Sequence, residues 1–368
     1  CIVQLHNYSM DWTTHLYMYT HSMSKRKTKY ISRDCYLYDK WNNEYSFYWY
    51  HKLMAFIHSQ NHSYKHQVLF HFLSSNVNVT WELVQSLPSE IWNYSLLSEN
   101  HNITWDIVQQ NPEKNWDYNM LSKNPNITWD IVEANPDKKW SYYYLSRNPN
   151  ITWDIVKNNL DKPWSFYCLS VNPNITWEII QEHPEHNWSY YYLGENPNIT
   201  WDIVEANPHV EWSEITLSRN PNITDEIVEK NPSIRWNFNH LSDNPNISID
   251  MVLRNFKRRW NFWNISKNPN IMWEDIHSNP FLPWANHCVS RNPNITWNTI
   301  ENNPEHQWDL WGLCVNPFIK DKDAFFIEKE RDYFRNWYKN CVFIEEFMRV
   351  RFHPDHLNQF QDWGHYEH

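Results

Sequence analysis

Residues 124–147 read NPNITWDIVEANPDKKWSYYYLSR, and this stretch decides the fold because the chain repeats it. Units with the same 24-residue period begin at ten evenly spaced asparagines: Asn76, Asn100, Asn124, Asn148, Asn172, Asn196, Asn220, Asn244, Asn268 and Asn292. An eleventh unit begins at Asn316 and departs from the pattern at once. A length of 368 residues alone would suggest two ordinary domains, but a period of this size predicts a solenoid that grows by stacking units.

The first half of each unit carries the signals of a helix start. Thr128 precedes Trp129, where its side-chain oxygen can accept a bond from an orphan backbone N–H, and Asp130 suits the positive end of the helix dipole. Ile127 and Val132 occupy the two positions of a hydrophobic staple. The pattern therefore predicts a first helix over residues 129–135.

The second half of the unit repeats the same signals. Trp140 precedes the capping residue Ser141, and Leu145 completes a second staple. This predicts a second helix over residues 142–146, short enough to be partly 3₁₀. Proline ends each helix because it cannot continue one. The predicted fold class is all-α, an α-solenoid of ten units with two short helices in each.

The asparagine that opens every unit predicts an ordered turn. With only three glycines in the chain, Asn replaces Gly as the turn residue. A side chain that recurs once per layer suits a ladder of stacked asparagines bonded to the backbone of the neighbouring unit. At roughly 8–10 Å per helical layer, ten stacked units predict a rod or gentle superhelix roughly 80–100 Å long.

Four segments follow from the limits of the repeat. Residues 1–40 are an irregular segment that includes a basic cluster between Lys25 and Arg33, interpreted as a solvated region. Residues 41–75 are a degenerate N-terminal cap, and residues 76–317 are the repeat solenoid. Residues 318–368 are a C-terminal helical cap and tail, with an amphipathic pattern from Asp321 to Arg351 that is expected to close the open end of the stack.

Composition argues against several classes of function. A net charge of −11 and a pI near 6.0 do not suit a general nucleic-acid binder, which needs a basic surface. No apolar run is long enough to span a membrane, and six scattered cysteines without a CxxC pair are typical of reduced thiols. No phosphate loop, HExxH, GxSxG or metal-spaced Cys/His cluster occurs. We therefore predict no catalytic residues, no cofactor and no metal.

The positions that vary within the constant frame point to a partner surface. Second-helix residues change from unit to unit and are rich in Tyr and Trp, the residues that dominate binding hot spots. The candidate partner surface consists of Tyr143, Tyr144, Tyr167, Tyr191, Tyr192, Ile215, Trp263 and Trp311. The alternative is that part of this row packs between layers. Units seven and eight lack the first-helix Trp, which indicates either decay or a local docking site.

Two other motifs have structural explanations. Asn-Ile-Thr at Asn126 and its equivalents is a glycosylation sequon, but capping explains the Thr and the ladder explains the Asn. His353-Pro354-Asp355 is the tripeptide with which J-domain co-chaperones contact their Hsp70 partner. Only 13 residues follow it, which favours a helix stop at Pro354 instead.

The repeat resembles two known kinds of protein. Over residues 76–317, the unit NPNITWDIVEANPDKKWSYYYLSR resembles repeats of uncharacterised proteins of giant DNA viruses of the mimivirus type, as does the tail from Glu345 to Phe360 more weakly. The spacing LSRNPNIT…P is similar to the leucine-rich repeat variant. That second resemblance implies an α-helix paired with a 3₁₀-helix in a right-handed superhelix. Here Trp and Tyr stand where that family prefers Leu, Val and Ala.

Together these patterns predict a non-enzymatic repeat scaffold for protein–protein interaction. The expected partner is a protein, with no nucleic acid and no membrane, and the viral resemblance implies the host cytoplasm or the virion. The alternative is a structural or virion component that self-associates through unsealed ends, and an enzyme of unrecognised type comes third. Because the chain begins at Cys1 rather than Met, we expect a fragment, a processed chain or an incomplete gene model.

Overall fold

The computed structural model describes residues 35–60 and 66–340, and the regular elements within these ranges are helices. The chain divides into two units, residues up to Ile319 and residues from Lys320 onward. Paired short helices recur at every repeat of the first unit. The predicted all-α solenoid of repeated helix pairs is confirmed.

Two helices precede the repeats, α1 (Cys35–Ser59) and α2 (His66–Leu73). The first helices of the ten units are α3 (Trp81–Ser86), α5 (Trp105–Gln110), α7 (Trp129–Ala134), α9 (Trp153–Asn158), α11 (Trp177–Glu182), α13 (Trp201–Ala206), α15 (Asp225–Lys230), α17 (Ile249–Arg254), α19 (Trp273–Ser278) and α21 (Trp297–Asn302). The second helices are α4 (Tyr94–Glu99), α6 (Tyr118–Leu121), α8 (Tyr142–Leu145), α10 (Phe166–Leu169), α12 (Tyr190–Leu193), α14 (Glu214–Arg219), α16 (Phe238–Leu241), α18 (Phe262–Lys267), α20 (Asn286–Arg291) and α22 (Leu310–Val315). A 3₁₀ turn, Ser89–Ile91, precedes α4, and α23 (Ile319–Asn340) follows the repeats.

The predicted caps and staples explain where the helices begin. Thr152 accepts from the backbone N–H of Ile155, and Ser141 accepts from that of Tyr144. Ile127 and Leu145 are fully buried, as staple residues should be. Helices α7 and α8 each end one residue before the predicted position. Short elements of this kind are stable only when neighbouring layers cover them.

The asparagine ladder is present and spans adjacent layers. In the sixth unit the Asn196 side-chain amide donates to the carbonyl oxygens of Ser170 at 2.8 Å, Asn172 at 3.2 Å and Ile175 at 3.1 Å. Its Oδ1 accepts from the Asn198 backbone N–H at 2.8 Å. The residue is fully buried. The turn asparagines are not left-handed, since Phe318 alone among the described non-glycine residues has a positive φ.

A tryptophan fixes the turn between the two helices in nine of the ten units. Trp140 Nε1 donates to the carbonyl oxygen of Asn135 at 2.9 Å, and the same bond recurs in nine of the ten units. Between layers, the Trp129 ring lies 5.5 Å from that of Trp164 in the next unit. A tryptophan of one first helix therefore packs against the turn tryptophan of the next layer.

Small side chains separate the second helices. Ser146 is fully buried, donates to the Tyr142 carbonyl oxygen at 2.6 Å and accepts from the Ser165 backbone N–H of the next unit at 2.9 Å. Gly194 replaces this serine in the fifth unit, where a Cβ would lie 2.4 Å from Thr216 Oγ1. Within the ten units, the closest backbone approaches between layers are those of second helices. The second helices therefore form the concave wall of a curved stack, with the first helices outside.

The curvature brings the last unit back to the first. Asn76 Nδ2 donates to the carbonyl oxygens of Cys314 at 2.7 Å and Asn316 at 3.0 Å. The other ladder asparagines donate to carbonyl oxygens of the preceding layer. For Asn76, the first of them, the acceptors belong to the last layer, which therefore occupies the place of a preceding layer. Asn78 likewise donates to the Pro317 carbonyl oxygen at 2.9 Å. The repeats thus form a closed ring and not the expected rod or gentle superhelix.

The layer that closes the ring is built from both ends of the array. Helix α1 takes the place of a first helix, since Lys52 pairs with Glu301 at 2.6 Å and Phe56 lies 6.5 Å from Trp297. Helix α2 takes the place of a second helix, and its Phe72 ring lies 4.8 Å from that of Trp311. The predicted cap over residues 41–75 is therefore an eleventh layer, and its helix begins six residues earlier, at Cys35.

Phe318 lies at the end of the repeat pattern. It occupies the position of the second turn asparagine, is fully buried and stacks on Trp297 with ring centroids 4.5 Å apart. Its φ of 44° is unusual for a bulky residue. The Tyr45 hydroxyl donates to its carbonyl oxygen at 3.3 Å, which ties α1 to this turn. The contacts with Trp297 and Tyr45 hold the backbone in this strained conformation.

The second unit contributes helix α23, which confirms a helix over the start of the predicted C-terminal amphipathic segment. Within residues 35–60 and 66–319 the terminal layers bond to each other, so the ring has no open end for a cap to close. The remainder of the predicted amphipathic segment, the His353 motif, the tail and the basic cluster at residues 25–33 lie outside the described residues.

In a closed ring, the side chain of Asn76, the first ladder asparagine, should stabilise the fold as much as that of the central Asn196. Replacing Asn76 with Ala leaves buried carbonyls without donors and should lower the free energy of unfolding by about 2–4 kcal/mol, as should Asn196→Ala. Urea denaturation compares the two, with the exposed Asn239→Ala as the control. A loss at Asn196 without one at Asn76 would indicate an open stack.

Candidate partner-binding surface

The second helices expose one face on the concave wall of the ring. In the third unit, Leu145 points into the core and is fully buried. Tyr143 and Arg147 are four residues apart and therefore lie together on the opposite face. Each layer thus contributes two residues to the concave wall, one from each of these positions.

The Tyr143 position forms what we call the tyrosine row, which consists of Tyr143, Tyr167 and Tyr191 and continues to Ile215. The exposed fractions of these four side chains are 41%, 40%, 45% and 36%. They lie in four consecutive layers of the ring. Half of the predicted partner surface is therefore a continuous, solvent-exposed and largely aromatic row.

Tyr144 and Tyr192 support this row from the following helix position. The Lys123 ammonium lies 4.5 Å from the centre of the Tyr144 ring, a cation–π contact between layers. The ring centroids of Tyr192 and Tyr167 are 4.0 Å apart. Both supporting tyrosines are partly buried. The alternative of packing between layers thus applies to these two residues, while the row itself stays exposed.

The environment of these hydroxyls changes their acidity. The hydrogen bond with Tyr167, together with burial, raises the pKa of Tyr192 to about 12. Burial and the neighbouring Cys168 thiol raise the pKa of Tyr143. Cys168 is itself fully buried. The raised pKa values keep both hydroxyls neutral at physiological pH.

The two predicted tryptophans lie in different surroundings. Trp263 is 62% exposed, and its ring lies 6.3 Å from that of His287. His287 Nδ1 in turn lies 2.7 Å from a carboxylate oxygen of Asp309. Trp311 contacts Phe72 across the closing layer. Trp263 is separated from the tyrosine row by Asn239, and Trp311 contributes to ring closure.

The Arg147 position forms a second row, which we call the charged row: Glu99, Lys123, Arg147, Val171, Glu195, Arg219, Asp243, Lys267, Arg291 and Val315. Neighbouring members of opposite sign pair across layers. Lys123 lies 3.2 Å from Glu99, and Arg219 lies 3.3 Å from Glu195 and 3.8 Å from Asp243. These side chains are 15–27% exposed. The row therefore helps to hold adjacent layers in register.

Units seven and eight, predicted to be either decayed or a docking site, have a specific internal contact. Asp225 replaces the first-helix Trp, and its carboxylate accepts from the backbone N–H and the hydroxyl of Ser248 in the next unit. Burial raises the pKa of Asp225. Arg258 lies 5.2 Å from the centre of the Phe238 ring. Asp225 thus replaces aromatic packing between these two layers with hydrogen bonds.

One cluster was missed by sequence analysis. His183, Glu185 and His186 bring their ligand atoms within 4.8 Å of one another in the mid-unit turn of the fifth unit. The signal lay in the repeat alignment, because eight other units carry Asn where His183 stands: Asn111, Asn135, Asn159, Asn207, Asn231, Asn255, Asn279 and Asn303. No linear metal-binding motif such as HExxH marks this cluster in the sequence.

Comparisons with other proteins add no identification. No family model matches the chain, no curated protein matches it, and no solved structure matches it. Among the described residues, no helix combines the length and apolar character needed to cross a bilayer. The viral and leucine-rich-repeat-variant resemblances therefore remain predictions from the repeat sequence.

The contact between Tyr167 and Tyr192 predicts a pH effect. Tyr167→Phe removes the hydrogen bond that contributes most to the raised pKa of Tyr192, which should then fall from about 12 toward 10. Because the folded-state pKa of Tyr192 is raised, its contribution to the free energy of unfolding is fully present below pH 10. This contribution is lost as the pH rises toward 12. NMR titration of ¹³Cζ-labelled tyrosine measures both values. An unchanged Tyr192 pKa in the variant would exclude the hydrogen bond as the cause.

Proposed function

We propose that this protein is a non-enzymatic scaffold that binds a protein partner on the concave wall of its ring. The observation that carries this proposal is the tyrosine row, four exposed residues in four consecutive layers. Tyrosine offers a large, rigid contact area with a polar tip, and it is enriched among the residues that dominate binding energy. A rigid ring holds such residues at fixed spacing before the partner arrives.

The shape of the wall limits the kind of partner. A concave surface lined by short helices suits a protruding element, such as a helix or an extended segment, better than a flat domain face. Each tyrosine hydroxyl can donate a hydrogen bond, and the rings can cover apolar side chains. We propose a protein segment with apolar and hydrogen-bond-accepting groups as the ligand.

The charged row supports binding more than catalysis. Lys123, Arg219 and Lys267 are each within 4.0 Å of a carboxylate of a neighbouring layer. Groups paired in this way are held in register by their partners. An ordered wall lowers the entropy that a partner would otherwise have to overcome on binding. The viral resemblance extends the proposal to a role in the host cytoplasm or the virion.

Self-association is the alternative proposal, and ring closure changes the surface it would use. The unsealed ends on which it was expected to depend are replaced by bonds between the terminal layers. Phe256 and Phe281, in the mid-unit turns of adjacent units, are 62% and 72% exposed. Self-association would therefore be expected through these turns. Multi-angle light scattering of a concentrated solution distinguishes a monomer from an assembly.

The tyrosine row can be tested by substituting its tyrosines with the residue that other units carry at the same position. Asn119 and Asn239 occupy the equivalent position in other units, so Tyr143→Asn, Tyr167→Asn and Tyr191→Asn should be compatible with the ring. We expect the triple variant to lose the proteins captured by the wild type in cells that make it, as measured by quantitative mass spectrometry. The expected loss is at least about tenfold, since hot-spot residues contribute about 2 kcal/mol or more each.

The control replaces an equally exposed aromatic residue elsewhere. Phe281→Glu should be compatible with the fold, because Glu occupies the same turn position in three other units, at Glu113, Glu185 and Glu305. Capture should be unchanged in this control, and circular dichroism should show that both variants are folded. Identical capture by the wild type and the triple variant would contradict the proposal. Loss in the control alone would instead favour the exposed turns as the binding surface.

A further inference from the structure

The turn between α11 and α12 brings together three side chains with metal-binding chemistry. His183 Nδ1 lies 3.3 Å from Glu185 Oε1, and His186 Nε2 lies 3.4 Å from the same oxygen. All three ligand atoms lie within 4.8 Å of one another. Ligands of a tetrahedral Zn²⁺, at roughly 2.1 Å from the metal, are separated from each other by roughly 3.4 Å. The two separations from Glu185 to the histidines therefore match those of a tetrahedral zinc site.

Neighbouring aromatic residues hold both imidazoles in place. The His186 ring stacks on Phe166 of the preceding layer, with centroids 4.6 Å apart and an interplanar angle of 17°. The His183 ring lies 4.8 Å from that of Trp153. The His183 carbonyl oxygen accepts from Trp188 Nε1 at 2.8 Å. Little side-chain freedom remains to be lost when a metal binds.

The three groups also suit a metal electrostatically. The imidazoles are 22% and 18% exposed, whereas the Glu185 carboxylate is 60% exposed, so the site opens to solvent. Two imidazoles and one carboxylate form a ligand set used for Zn²⁺, with a fourth position left for water or another ligand.

From this geometry we infer that His183, Glu185 and His186 form a binding site for a divalent first-row transition metal, with Zn²⁺ as the expected ion. The tenth unit shows what distinguishes the fifth. It keeps Glu305 and His306 at the same turn positions but has Asn303 instead of a histidine. The replacement of Asn by His at residue 183 thus supplies the third ligand.

The inference is tested with the full chain and with Zn²⁺ or Co²⁺ alone as the probe. His183→Asn restores the residue of eight other units and retains the carbonyl that accepts from Trp188, so it should fold. Glu185→Ala removes the carboxylate, and Glu113→Ala is its matched control, because Glu113 has the same turn position in the second unit without either histidine. Zn²⁺ affinity is measured by competition with a chelating fluorophore, and Co²⁺ coordination by visible absorption.

We expect the wild type and Glu113→Ala to bind one Zn²⁺ with the same affinity. His183→Asn and Glu185→Ala should bind Zn²⁺ at least about tenfold more weakly. The Co²⁺ complex of the wild type should show the intense visible bands of a four-coordinate site, and those of the two site variants should not. Equal Zn²⁺ stoichiometry and affinity in the wild type and both site variants would overturn the inference, because binding would then be adventitious. A loss in Glu113→Ala equal to that in Glu185→Ala would overturn it as well.

Discussion

The buried side-chain amide of the turn asparagine is the interaction on which the ring depends. Each amide supplies donors to carbonyl groups of the preceding layer that no helix could satisfy, while its oxygen accepts from the turn of its own layer. Because these groups are fully buried, leaving them unpaired would cost far more than pairing them contributes. The ladder therefore fixes both the spacing and the register of the layers on the concave wall.

Curvature follows from the difference in size between the two sides of a layer. Buried asparagine and serine let second helices approach closely, whereas bulky pairs such as Trp129 of a first helix and Trp164 of the next turn lie between layers elsewhere. A stack that is wider on one side must bend, and here it bends until Asn76 reaches the carbonyls of Cys314 and Asn316. Closure removes the terminal faces that an open solenoid has to protect with polar caps. It also gives the exposed tyrosines a fixed arrangement.

Local signals made much of this predictable from sequence. Thr152, Ser141 and Leu145 specify helix starts and cores within a few residues, so the helix pairs could be predicted. Closure could not, because it depends on curvature summed over many layers, and only the end of α2 and the residues after it match the repeat pattern. The spacing along the second helix identified its variable positions. The structure was needed to show that Tyr143 is exposed and that Tyr144 is partly buried beside it. The His183 cluster depends on a single departure from the turn asparagine.

The ring is the central claim, because the concave wall and the fixed tyrosine row both follow from it. Zero-length carbodiimide coupling of Lys52 to Glu301, which are 2.6 Å apart, tests it most directly. Mass spectrometry of a mixture of isotopically light and heavy chains should find this amide bond within single chains at every dilution. Lys52→Arg should abolish it. In an open stack these residues would be separated by much of roughly 80–100 Å, so absence of the bond, or its formation only between chains, would contradict closure.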